Sequence, residues 1–310
     1  MEYNSGITCP SFDNVEHHGH KAGRESSLSV NRALEFAHPI DAGIIKVLDN
    51  KIINEAFNKY VNLCVDLEAG LSLATSIKID QNNYPELNAI VEDCSHKLSI
   101  PRPYVVISRS VAGINARTAG TDEFSYIALS SLMTLLMEPG EQKFVIGHEC
   151  GHIALGHVVY HTALSTAGSL SGLVPVIGTF VANAVKYPLN AWSRRSEISA
   201  DRAGLICCGN IDTAKKALLR LEAGFLNVDS LDIDDYLENY RSFSQNSKLG
   251  KLREILMSHP IIPKRIEALD LFAHSEKYYR ITNRQIEPGM KLLDDEELEH
   301  RTNSIVKVIL

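Results

Sequence analysis

The chain has 310 residues, enough for one large domain or two small ones. Apolar residues make up 45% and charged residues 22%, the balance of a globular protein rather than a disordered one. With 31 basic against 38 acidic residues, a net charge of −7 and no basic stripe, the composition argues against a nucleic-acid binder.

The first 31 residues are polar and carry His17, His18 and His20. They have no basic run followed by an apolar one, so a secretory leader is not expected; a solvated tail is. From Arg32 to about Ala74, apolar residues such as Ile45, Leu48, Ile52, Ala56 and Phe57 recur at helical spacing, which predicts a helical packing layer. Tyr84-Pro85 opens a further helix with Leu87, Ile90, Val91, Cys94 and Leu98 on one face. Three short strands are predicted next, over Tyr104–Ser108, Ile114–Thr118 and Phe124–Leu129, with a turn at Gly120-Thr121-Asp122. The six cysteines contain no Cys-x-x-Cys, and Cys207 and Cys208 are adjacent, so reduced thiols in a cytoplasmic protein are expected.

The most informative stretch follows a short helix over 130–137. It runs from Lys143 to His157 and contains His148-Glu149-Cys150-Gly151-His152, flanked by Phe144, Val145, Ile146, Ile153, Ala154 and Leu155. Residues four apart share a helix face, so His148 and His152 can aim both imidazoles at one metal. Glu149 is turned away from that pair, too far round to share the ion but placed to reach a water beside it. His-Glu-x-x-His on a helix is the pattern of a zinc hydrolase whose glutamate is general base. Two histidines buried in apolar surroundings would otherwise be costly.

From Val158 to Val185 there is no Asp, Glu, Lys or Arg. Gly168, Gly172, Pro175 and Gly178 interrupt the run, and its apolar core falls short of the roughly 20 residues of a spanning helix. A protein-covered hairpin or a flap over the site, spanning about 161–188, is the expectation; a membrane-associated enzyme is the lesser reading.

A catalytic zinc wants a third protein ligand. A third histidine in the metzincin pattern is excluded, because Leu155 and Val158 stand where Gly and His would be. His157 is one residue early and reads as a polar residue at the helix end. Glu197 and Asp201, in Trp192–Gly204, are four apart and share a face. Glu197 can ligate the metal while Asp201 accepts the remaining ring N–H of a liganding histidine. Ala200 and Gly204 allow a close helix contact. His161 is a looser third source without a supporting pattern.

Beyond this, an amphipathic helix is predicted over 212–225, an acidic connection over 229–237, and a helical stretch over 252–272 broken at Ser258–Pro263. The end of the chain is polar until Ile305–Leu310, which reads as a strand or a docking segment.

His148-Glu149-Cys150-Gly151-His152 followed by Glu197-Ile198-Ser199-Ala200-Asp201 resembles the signature of the CAAX prenyl protease and HtpX family, gluzincin-type zinc metallopeptidases with soluble relatives. The resemblance runs from about Tyr84 to Leu269 and includes Asn115-Ala116, Ser258-His259-Pro260 and Arg265-Ile266. It implies one zinc per chain, held by His148, His152 and Glu197, with Glu149 catalytic and Asp201 behind the ligands. It also implies that Asn115 and His259 flank the bound peptide and hold the scissile carbonyl. The sequence departs from the family in having no clear set of spanning helices and in placing Ile261 after the His-Pro pair. The expected fold is α+β and mainly helical, a zincin-like core with a small sheet beside the metal helix. Its expected divisions are a tail (1–31), a helical segment (32–83), a metallopeptidase domain (84–275) and a C-terminal extension (276–310). The expected function is a cytoplasmic zinc metalloendopeptidase acting on proteins or peptides. A zinc-holding protein without turnover is the competing reading, and the intact Glu149 speaks against it.

Overall fold

Two helices packed at unusually close range carry the structure. The computed structural model describes residues 33, 35–39, 75–120, 124–166, 186–224, 227–246 and 261–306. In chain order the main elements are β1 (Ile77–Lys78), α1 (Pro85–Leu98), β2 (Tyr104–Ile107), β3 (Ala116–Gly120) and β4 (Ser125–Leu129). There follow α2 (Ser131–Leu136), α3 (Pro139–Ala154), α4 (Val158–Thr166), α5 (Lys186–Cys208) and α6 (Ile211–Ala223). The last are α7 (Ile233–Asn246), α8 (Ile262–Ala273), α9 (Glu276–Thr282) and α10 (Asp295–Val306). The fold is α+β and mainly helical.

Helix α3 starts where its sequence dictates. Pro139 sits in the first turn, where a missing N–H costs nothing, and Glu141 accepts the Glu138 N–H at 2.8 Å. Buried Glu141 also takes the Nε of Arg220 from α6 at 2.9 Å. Small residues then let α5 lie directly on α3. A Cβ on Gly147 would stand 2.6 Å from the Cys207 Cβ, and one on Gly151 would stand 2.6 Å from the Ala203 Cβ. The seam therefore needs both glycines, and it brings the faces bearing His148 and Glu197 together. The thiols of Cys94, Cys150 and Cys207 are buried along this core, and burial pushes those of Cys150 and Cys207 well above the usual range.

The sheet is mixed and has four strands rather than three, in the order β1-β2-β4-β3. β1 has only two residues, too short for any periodic signal, and pairs antiparallel with β2. β2 and β4 run parallel, with Val105 opposite Ile127. β3 is an edge strand, antiparallel to β4 with Thr118 opposite Ile127, and it begins two residues later than its sequence suggests. Val105, Ile127 and Leu129 bury one sheet surface in the core that contains Phe144, Ile146 and Cys150 of α3.

Two other expectations change. The acidic stretch 229–237 is a 3-10 turn at Val228–Ser230 followed by α7. The polar C-terminal stretch contains two helices, and α10 buries Leu298, Thr302 and Val306 at four-residue spacing. Its Glu299 pairs with Arg202 of α5, which has no exposed surface. Among the described residues no helix is long and apolar enough to cross a membrane. Residues 167–185, the greater part of the charge-free stretch, lie outside the described set, as do the tail before Ala33 and all of 40–74.

Candidate metal centre

His148, Glu149 and His152 project from α3, and Glu197 and Asp201 from α5; all five are buried. The histidine pair meets edge to face, with ring centroids 4.8 Å apart. Their Nε2 atoms are 3.2 Å apart, and the Glu197 carboxylate oxygens lie 3.5 Å from each. Three ligands bound to a tetrahedral zinc at about 2.0–2.2 Å stand about 3.3–3.6 Å from one another. One ligand atom from each of the three side chains lies within 4.8 Å of the others, close enough to share an ion, and the donor set of two imidazoles and a carboxylate suits zinc.

The charges point the same way. The buried carboxylates of Glu149, Glu197 and Asp201 gather around the buried guanidinium of Arg265. Three buried carboxylates at one place make a favourable setting for a divalent cation. Burial by itself would lower the His148 pKa, but hydrogen bonds to Asp201 and Glu197 push it up to about 10. Those carboxylates draw a proton onto the ring where a cation could take its place. Burial lowers the His152 pKa, an effect that Glu197 only partly offsets.

Each member is held from behind. The Asp201 carboxylate meets His148 Nδ1 at 3.0 Å. Arg265 of α8 donates to both Asp201 oxygens, from Nε at 2.8 Å and Nη2 at 2.6 Å. Burial would raise the Asp201 pKa, but Arg265 outweighs it and holds the carboxyl below its usual range. Thr118 of β3 donates its hydroxyl to Glu149 Oε2 at 2.5 Å.

A cleft of about 450 Å³ opens over this group, walled by α3, by Glu197, by residues 115–119 and by Arg265. Asn115 lines it, with its side-chain carbonyl accepting the Ala116 N–H at 2.9 Å. His161 lines it too, and its Nε2 lies 2.8 Å from Ser196 Oγ rather than among the three donors. His259 lies outside the described residues.

The structure thus brings His148, Glu149, His152, Glu197 and Asp201 together and seats Asn115 at the cleft wall. Sequence reasoning missed three neighbours. Thr118 is 31 residues from Glu149 and meets it only through the sheet. Arg265 entered through the resemblance, without a role. His157 reads in the sequence as a polar residue at the helix end. The helix stops at Ala154, and His157 is fully buried with its Nδ1 3.0 Å from His152 Nδ1. Gly156 was the signal: a glycine there ends the helix and turns the next residue back.

The profile of Peptidase family M48 matches residues 81–273. Over 220 residues the chain is 24% identical to the chloroplastic plastoglobule-localized metallopeptidase 48 of Arabidopsis thaliana, across 69% of this chain and 64% of that protein. Over 219 residues it is 22% identical to protease HtpX homolog 1 of Streptomyces coelicolor, across 62% of this chain and 72% of that one. The chain thus spans slightly less than two thirds of the plastoglobule peptidase, and no solved structure matches it. With the family profile covering the whole stretch from the first core helix to the helix bearing Arg265, this chain belongs to Peptidase family M48.

Proposed function

We propose that this chain is a zinc metalloendopeptidase with His148, His152 and Glu197 as ligands and Glu149 as general base. The observation that carries the reading is the convergence of the two imidazole Nε2 atoms, 3.2 Å apart, and the Glu197 carboxylate, whose Oε2 and Oε1 lie 3.5 Å from His148 and His152 respectively. When bound, zinc supplies a Lewis acid that polarises a peptide carbonyl and makes a water more acidic.

The remaining work falls to the protein. Glu149 takes a proton from the attacking water at its free oxygen and returns it to the leaving amine. Thr118 occupies the other oxygen, Oε2, and so fixes which one faces the cleft. Asp201 holds His148 through Nδ1, leaving Nε2 for the metal, and Arg265 holds Asp201. Edge strand β3 lines the cleft, so an extended peptide laid along it can pair with its backbone. Asn115, and His259 by family resemblance, then hold the scissile carbonyl. The four described cysteines are free thiols, which fits a reducing compartment and a cytoplasmic enzyme.

Zinc analysis and digestion of a peptide library by the purified full chain test this. Wild type should hold one zinc and cleave. Glu197→Ala should lose the zinc. Glu149→Gln should keep zinc and fold while cleavage falls by ~10²–10⁴-fold. A Gln variant that cleaves at the wild-type rate, or a Glu197→Ala variant with full zinc, would overturn the assignment.

A further inference from the structure

The proposed mechanism gives no task to His157, although this imidazole is fully buried against a ligand. Its placement follows from how α3 ends. Gly156 adopts a φ of 69°; its N–H bonds the Ile153 carbonyl at 3.2 Å, and the His157 N–H bonds the His152 carbonyl at 2.9 Å. This is a Schellman turn with Leu155 as the cap. In such a turn the side chain two residues past the cap lies against the one three residues before it, usually as an apolar contact. Here both residues are histidines. Their Nδ1 atoms are 3.0 Å apart, and Trp192, itself fully buried, stands edge-on to the His157 ring at 5.3 Å.

We propose that His157 is a positioning residue that accepts the Nδ1 proton of His152 and so fixes the His152 tautomer that leaves Nε2 free for a divalent metal. The inference rests on His152 being a ligand. A neutral imidazole carries one N–H, and an Nδ1···Nδ1 hydrogen bond holds one proton. With that proton on His152, its Nε2 keeps a lone pair facing His148 and Glu197. With it on His157, the His152 proton moves to Nε2 and points at the other two donors, which blocks ligation. Only a His157 protonated on Nε2 is compatible with metal binding.

The two ligand histidines are therefore held by different acceptors. His148 has the carboxylate of Asp201, whereas His152 has an imidazole. A carboxylate behind each would add another negative charge beside Glu149, Glu197 and Asp201, while a neutral imidazole accepts the proton without adding any. A second metal on His152, His157 and His161, whose donors also cluster, is the competing use of these residues. The contact between His161 Nε2 and Ser196 Oγ at 2.8 Å argues against it.

The test compares zinc dissociation constants of the full chain, by competition with a chromophoric chelator, for wild type, His152→Ala, His157→Phe and His157→Asn. Phe keeps the ring volume but offers no acceptor, and affinity should fall by ~10–100-fold, the usual loss for a partner behind a ligand. Asn places an amide oxygen near the former Nδ1 and should recover most of that loss. NMR of nitrogen-15-labelled histidine in the zinc-loaded wild type should show His152 protonated on Nδ1 and His157 on Nε2, a signature that packing alone would not set. Overturning results are a His157 protonated on Nδ1, wild-type affinity in the Phe variant, or two tightly bound zinc ions per chain. If His152→Ala also keeps wild-type affinity, the ligand assignment itself fails; if it loses zinc while Phe does not, only the role of His157 fails. Should the Phe variant not fold, the Asn variant and the wild-type spectrum still decide.

Discussion

Asp201 and Arg202 are neighbours on α5, both are buried, and they serve opposite kinds of cluster. Around Arg202 both cations, Arg202 itself and Lys277, find the same carboxylate within the protein. The Arg202 guanidinium donates to both Glu299 oxygens at 3.0 and 3.1 Å and lies 5.1 Å from the Phe272 ring, and Lys277 adds a bond to Glu299 at 2.7 Å. Around Asp201, Arg265 meets the carboxylates of both Asp201 and Glu197, and two imidazoles and Glu197 gather at a common point. A buried ionic cluster whose members are tied to one another is architecture, and one whose ligand atoms converge on a common point is a place for a cation. On one helix, a single residue step separates the two.

If that distinction is right, the clusters fail differently. Glu299→Ala leaves Arg202 buried without its carboxylate, and stability should fall by ~3–5 kcal/mol in urea unfolding. Zinc affinity of the folded fraction should stay at the wild-type value. A parallel fall in zinc affinity would mean that the two faces of α5 act as one unit.

On the other face a small change should alter rate without altering stability. Thr118→Val removes the hydroxyl that engages Glu149 Oε2 while keeping the β-branched shape that suits β3. A hydrogen bond to a charged group is worth ~1.5–3 kcal/mol, so kcat/KM should drop about tenfold or more. Zinc content and the unfolding midpoint should hold. Unchanged kcat/KM would remove Thr118 from the orientation of the base.

The two clusters also differ in how far the sequence announces them. His148, His152, Glu197 and Asp201 recur at four-residue spacing on two helices, and periodicity within one element survives in sequence. The rear of the site does not. Thr118 and Arg265 reach it from other elements, and His157 depends on a helix ending that one glycine decides. The Arg202 cluster was wholly hidden. It joins α5 to the Phe36 carbonyl, Phe272 and Glu299, and α10 is so charged that its buried stripe of Leu298, Thr302 and Val306 gives little signal. The seam between α3 and α5 was half visible: Ala200 and Gly204 suggested close packing, whereas Gly147 and Gly151 passed as part of the motif.

The smallest expected effect is a pH dependence that belongs to the Arg202 cluster alone. Burial would raise the Glu299 pKa, but Arg202 and Lys277 outweigh it and hold the carboxyl below its ordinary 4.5. A carboxyl depressed in the folded state contributes stability that is fully present above its unfolded pKa and is lost as pH falls through its folded pKa. Arg202 and Lys277 face Glu299, and His38 Nε2 lies 3.6 Å away. The two strong cations keep their charge throughout the acid range, so below the ordinary carboxylate pKa Glu299 is the member of this trio that titrates. Glu299→Gln should therefore lie below wild type in urea midpoint by a constant gap from pH 5.5 upward, and the gap should narrow as the pH drops towards 3. Zinc-free protein serves for both chains, so that ligand protonation at the metal centre cancels in the difference. A gap that stays constant down to pH 3 would mean that the carboxylate charge of Glu299 contributes nothing, and that Arg202 is held by shape and by the Phe272 ring.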